Sequence, residues 1–112
     1  MTDDAAKPRT MLAHNVFFTL KDPTDEAIEH LVSECHKYLK DHAGVAFFAA
    51  GTLNTELNRP VNDHDFHVAL HVIFETKQHQ DDYQVSDTHK QFIAENNESW
   101  QQVRVFDSDV AQ

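Results

Sequence analysis

Apolar and polar positions follow two different periods along this chain. From Met11 to Leu20 (MLAHNVFFTL) the period is two, which predicts a strand carrying Leu12, His14, Val16, Phe18 and Leu20 on one face. The period then changes to that of a helix. Ile28, Leu31, Val32, Cys35 and Leu39 recur at i, i+3, i+4, i+7 and i+11, forming one stripe of a helix expected to run to about His42. Its start is marked by Lys21-Asp22-Pro23-Thr24. Either Asp22 caps it with Pro23 in the first position, or Thr24 caps it with Asp25 and Glu26 in the first turn. Gly44 is the expected residue just past its C-terminus.

Val45 to Leu53 (VAFFAAGTL) reads as a second strand, with Gly51 marking a bulge or a close backbone approach. A polar connection, Asn54 to His64, leads to the clearest strand, Asp65 to Thr76. There Phe66, Val68, Leu70, Val72 and Phe74 share a face. Gln78 to Val85 predicts a short helix. A second helix starts near Thr88 with Ser86 or Asp87 as cap, placing His89, Phe92, Ile93, Asn96 and Trp100 on one stripe. Gln102 to Asp107 (QVRVFD) is the last strand. The order β-α-β-β-α-β, with its second helical region broken in two, predicts an α+β ferredoxin-like fold. Both helical regions then cover one face of the sheet. The other face, rich in Phe, Val and Leu, needs a cover, and a second copy of the chain is the simplest one.

Length adds one statement: 112 residues make a single domain. The expected division is an arm over residues 1–10, a domain over 11–108 and a tail over 109–112. Charge removes several functions. Nine Lys and Arg against 19 Asp and Glu leave −10, which argues against unaided nucleic-acid binding and against an anionic membrane surface. No apolar run reaches the roughly 18–20 residues of a membrane span. The opening residues lack the apolar core of a secretory signal. Cys35 stands alone, so neither an intrachain disulfide nor a cysteine-rich zinc site is available, and a reduced cytoplasmic protein is the expectation. Two glycines exclude a Gly-rich phosphate loop. Nine histidines could bring the charge from −10 to −1 if all were protonated, which makes acid-sensitive behaviour an expectation.

Taken in order, AHNVFFTL, VAFFAAGTL, DFHVALHVIFE, DDYQVSDTH and VRVFD make the chain similar to the stress-responsive A/B barrel (Dabb) domain family of dimeric α+β barrels, over residues 11–108. The resemblance implies a homodimer whose two sheets close into a barrel with helices outside. It allows larger assemblies, and it calls for no cofactor. One polyketide-cyclising member uses a Tyr and a His six residues later, in a segment of form D-Y-x-x-H-P-x-H. Here Tyr83 and His89 keep that spacing, while Ser86 and Asp87 replace the first His and the Pro. Two further pocket histidines of that member correspond to His14 and His67.

The implied chemistry is physically coherent. Imidazole titrates near neutrality and suits a base that removes a proton next to a carbonyl; a phenol can hold the developing enolate oxygen. His89 and Tyr83 are therefore candidate catalytic residues, and His14 and His67 candidate ligand-binding residues around the same cavity. The bland alternative has His89 filling space on an apolar stripe, Tyr83 closing a loop, and His14 and His67 as buried neutral side chains. Metal ligation is not expected. His67 and His71 share a strand face about 13 Å apart, too far for one ion, and no HExxH occurs. Three functions stay open: a dimeric barrel with a pocket for a small apolar or aromatic ligand, a cofactor-independent aldol-type cyclase, and a purely structural assembly.

Overall fold

The computed structural model describes residues 10–111. Of the expected arm, only Thr10 falls within them, where it opens the first strand. The elements are β1 (Thr10–Leu20), α1 (Asp25–Leu39), β2 (Val45–Thr52), β3 (Val68–Phe74), α2 (Lys77–Val85), α3 (Asp87–Asn96), a 3₁₀ turn (Asn97–Ser99) and β4 (Trp100–Ala111). The four strands form one antiparallel sheet in the order β2-β3-β1-β4, the ferredoxin-like α+β arrangement expected from the element order.

β1 lies in the middle, paired on both sides. Its alternation sends His14, Val16, Phe18 and Leu20 beneath the helices, where all four are buried. They meet Val68, Leu70, Val72 and Phe74 from β3, Leu31, Cys35 and Leu39 from α1, and Tyr83 and Phe92 from α2 and α3. Between the two possible caps of α1, the side chain of Thr24 takes the role, accepting from the Ala27 N–H at 3.1 Å. Pro23 therefore stays outside the helix. Cys35 is fully buried and its thiol is pushed up to about 12 by that burial and by the Glu34 carboxylate beside it, so it is an inert core residue.

Several boundaries differ from the sequence reading, each for a local reason. α1 stops at Leu39, three residues short of His42, whose ring Nε2–H turns back to the Tyr38 carbonyl at 2.9 Å and satisfies a helix-end acceptor. Gly51 pairs in register with Ala69; the irregularity of β2 falls between Val45 and Phe47, and a side chain at Gly51 would meet nothing within 4 Å among the described residues. β3 begins at Val68 rather than Asp65, because the Asp65 N–H bonds the Asp63 side chain at 2.7 Å and its carbonyl accepts from Thr19 at 2.9 Å. Phe66 consequently leaves the core face and packs on Phe17, with ring centroids 5.0 Å apart. Trp100 begins β4 and is not on the helix, since α3 ends at Asn96 and the 3₁₀ turn redirects the chain. The expected tail continues β4 to Ala111, where Asp109, Val110 and Ala111 pair with Leu12, Met11 and Thr10.

The sheet face away from the helices carries an aromatic patch. Phe17 lies edge-on to Phe66 and to Phe106 (5.8 Å), and Phe47 and Phe106 are each 53% exposed. Arg104 crosses the rim of this patch to Asp63 at 2.9 Å.

Gly44 occupies the left-handed region at φ +82°, and a Cβ there would overlap the His79 ring. The left-handed conformation alone costs a non-glycine residue about 1–2 kcal/mol. Gly44→Ala is expected to destabilise the chain by at least ~2 kcal/mol, because the overlap adds to that strain. Chemical denaturation of the two proteins side by side checks this; equal midpoints would refute it.

Candidate functional site

The break between α2 and α3 builds the site. Ser86 ends α2 and caps α3. Its hydroxyl donates to the Tyr83 carbonyl at 2.9 Å and accepts from the His89 N–H at 3.2 Å, so one side chain ties the backbone of Tyr83 to that of His89. Ser at this position is a strong helix N-cap, and Asp87 follows in the first turn where a carboxylate suits the helix end.

Tyr83 is 2% exposed and forms the centre of a ring cluster. His89 lies 4.7 Å from it between centroids, Phe74 and His42 5.0 Å, and His14 5.9 Å. The Tyr83 hydroxyl and the His89 Nδ1 are both shielded from solvent and have no hydrogen-bond partner among the described residues. Orphaned polar atoms of this kind are uncommon and costly, about 1–3 kcal/mol each. Burial lowers His89 to about 4, with His14 and His42 adding to the effect, so its ring is neutral at pH 7. Burial also raises the Tyr83 phenol well above its ordinary value, which keeps the proton on the oxygen. A neutral imidazole has the free lone pair that a base needs, although at about 4 it is a weaker base than the near-neutral imidazole expected from the sequence, and a protonated phenol keeps the donor that a developing oxyanion needs.

His14 reaches the same place from β1. Its Nδ1 is 2.6 Å from the Asp107 carboxylate on β4, directly opposite in register. A carboxylate only accepts, so Nδ1 carries the proton and a neutral ring presents a lone pair at Nε2. Asp107 and His42 were not singled out from the sequence. Finding Asp107 requires the β1–β4 register, which the sequence of β4 by itself does not reveal. His42 was assigned to the end of a helix.

A cavity of about 180 Å³ runs beside these groups, lined by His14, Tyr83, Gln84 and His89 together with Val16, Phe18, Trp100 and neighbouring apolar side chains. Among the described residues, no Asp, Glu, Lys or Arg lines it. His67 is not among them. It sits at the far end of β1, where its Nδ1 accepts from the Leu20 N–H at 3.0 Å, and it lines a separate depression of about 360 Å³ with Asp25, Glu29 and Thr52. Of the four residues singled out from the sequence, the fold thus brings three together.

The sequence matches the model of the stress responsive A/B barrel domain over residues 12–110, and the chain belongs to that family. No curated protein sequence matches it significantly. Among solved structures, it resembles a Dabb family protein with a ferredoxin-like fold from Mesorhizobium loti, at 20% identity, covering 88% of this chain and 95% of that one, TM-score 0.72. It also resembles a dimeric ferredoxin-like protein of unknown function from Thermobifida fusca (13% identity, 90% and 92% covered, TM-score 0.73). A third likeness is to a hydroxynitrile lyase from Passiflora edulis (15% identity, 94% and 97% covered, TM-score 0.76). At these identities the likenesses establish the fold.

The buried neutral His89 links stability to pH. An unfolded histidine titrates near 6.5, whereas His89 in the folded chain titrates near 4. Between those values the unfolded state binds the extra proton, so the His89 contribution is complete above pH 6.5 and is lost as pH falls through 4. Thermal melting of the wild type and of His89→Gln across pH 7 to 4 should show the steeper acid loss in the wild type. Parallel curves would refute the assignment.

Proposed function

We propose that this family member is a homodimeric barrel protein that binds a small uncharged carbonyl compound and moves a proton beside the carbonyl without a cofactor. The observation that carries the reading is the pair of unpartnered buried groups, the Tyr83 hydroxyl and His89 Nδ1, set in a mainly apolar cavity beside the His14–Asp107 pair. In this reading the lone pair of a neutral His89 ring takes a proton from the carbon next to the carbonyl. The C–H electrons form the enolate C=C bond, and the carbonyl π electrons move onto oxygen. Tyr83 donates a hydrogen bond to that oxygen. The Asp107 carboxylate offsets the positive charge that gathers among the histidines. Attack of the enolate carbon on a second carbonyl, followed by return of the proton from His89 to the new alkoxide, gives the aldol product. A neighbour of the same fold is named a hydroxynitrile lyase, which supports cofactor-free acid–base chemistry as a reaction class for this fold.

The dimer part rests on the aromatic sheet face. Phe17, Phe66 and Phe106 form a patch, with Phe47 exposed elsewhere on the same sheet face, that a second copy would cover, and a neighbour of the same fold is described as dimeric. The barrel domain, expected over residues 11–108, is read as extending from Thr10 to Ala111 with the paired ends of β1 and β4, and a cytoplasmic site of action is part of the same proposal. The runner-up is a purely structural assembly, favoured by the same patch but leaving the orphaned site groups unexplained.

Exchange of α-protons for deuterium in acetophenone, followed by NMR in D₂O, tests the chemistry without knowing the natural substrate. Wild type is expected to accelerate exchange. His89→Gln should lose about 10²–10⁴-fold of the acceleration, the usual range for a general base. Tyr83→Phe should lose about 10²-fold, typical of one oxyanion donor, and melt no lower than wild type because it removes an orphaned hydroxyl. No exchange and no binding in wild type would leave the structural reading.

Light scattering tests assembly separately. The wild type should weigh twice 12.9 kDa or a multiple of that dimer, and Phe106→Glu should shift it toward 12.9 kDa. A wild-type monomer at micromolar concentration would refute the dimer.

A further inference from the structure

The cavity has polarity at two ends. One end is the Tyr83–His89–His14 cluster. The other is the indole of Trp100, which lies against Phe18 and Phe92 with centroids 5.0 and 5.6 Å apart and whose Nε1–H is buried without a partner. The two ends are separated along β1. His14, near Tyr83, and Phe18, beside Trp100, are four residues apart on the same face, about 13 Å of strand at 3.3 Å per residue. The wall between them is apolar, with Val16, Leu70, Phe92 and Ile93. Val103 and Val105 of β4, 38% and 50% exposed, form its open side.

An indole N–H can only donate. In a core this apolar, an unpaired donor is retained at a cost of about 1–3 kcal/mol. Among the described residues, Trp100 Nε1 has no structural partner that would explain its retention.

We propose that Trp100 is a specificity residue that donates a hydrogen bond to a second acceptor on the ligand, remote from the reacting carbonyl. This inference rests on the proposed carbonyl-binding role of the Tyr83–His89 end. The ligand class it defines is an uncharged, flat, mainly apolar molecule with an oxygen acceptor at each end, such as an aryl ketone bearing an ether or second carbonyl oxygen para to the first. Binding in this mode requires the indole to be oriented about its side-chain torsions so that the N–H meets that oxygen. Valines 103 and 105 contact the body of the ring. A carboxylate-bearing ligand lacks a counter-charge anywhere in the lining.

Two near-isosteric probes isolate the bond: 4′-methoxyacetophenone, which has the second oxygen, and 4′-ethylacetophenone, which lacks it. Their affinities for the full chain are measured by calorimetry. Quenching of the single tryptophan provides an independent reading in the wild type. The ratio of methoxy to ethyl affinity is expected to fall about tenfold in Trp100→Phe, the size of one net hydrogen bond. Tyr83→Phe should weaken both probes and leave the ratio unchanged. If both probes bind and the ratio is the same in wild type and Trp100→Phe, the role of Trp100 is overturned while the carbonyl site stands. If neither probe binds the wild type, the carbonyl site fails and this inference fails with it.

Discussion

The two-residue alternation of β1 constrains everything above it. A central strand paired on both sides cannot slip by one residue without turning Val16, Phe18 and Leu20 out of the core. That row therefore fixes which side chains lie under the helices, and His14 belongs to it. A histidine held there has to be satisfied locally. The antiparallel register supplies Asp107 directly opposite, and the 2.6 Å bond fixes the ring tautomer. The apolar row and the polar site are thus one feature: the strand that carries the core also carries the first site residue into it.

The helical layer answers the same constraint from above. A continuous helix over residues 77–96 would set Tyr83 and His89 about 600° apart, some 120° from sharing a face. Breaking it at Ser86 removes that conflict, because the cap bonds reset the backbone direction while holding Tyr83 and His89 close. The electrostatics follow from the packing. A chain with ten excess negative charges keeps nearly all of them outside, and the cavity wall carries no formal charge. Desolvation then dominates, driving His89 toward its neutral form and Tyr83 toward its protonated one.

Much of the fold was legible because it rests on long, strongly periodic segments. β1, α1 and the core of β3 are set by alternation or by a 3.6-residue stripe, and the broken second helix was visible in Ser86 and Asp87. What escaped depends on contacts distant in sequence. Asp107 gains its role only from lying across from His14, and nothing in QVRVFD marks it. The extension of β4 to Ala111 comes from pairing with the start of β1, not from its own polar sequence. Trp100 continues the helical stripe numerically, but the 3₁₀ turn intervenes and places it on a strand. His67 matched a family position and a strand pattern, yet its ring serves the Leu20 N–H at the other end of β1. Spacing along the chain located Tyr83 and His89, which one turn holds together, and the family correspondence located His14, whereas His67 and Asp107 depend on how the sheet distributes its residues.

The two faces of the sheet separate the aromatic patch from the candidate site. The aromatic patch of Phe17, Phe66 and Phe106 lies on the side away from the helices, whereas Tyr83, His89 and Trp100 lie beneath them. Because neighbouring residues of a strand point to opposite faces, Phe106 and Asp107 stand next to each other in sequence and serve different ends. The same holds for Phe17 and Phe18. A change at one position can therefore alter how copies of the chain associate without entering the cavity, and its neighbour can alter the cavity without touching the patch. The sheet between them is continuous, with β1 and β4 paired from Thr10–Ala111 to Leu20–Trp100. β1 and β4 each carry side chains to both faces: His14, Val16 and Phe18 toward the cavity and Phe17 toward the patch on β1, and Val103 and Val105 toward the cavity and Phe106 toward the patch on β4. The paired positions of these two strands are thus the physical connection between the patch and the candidate site.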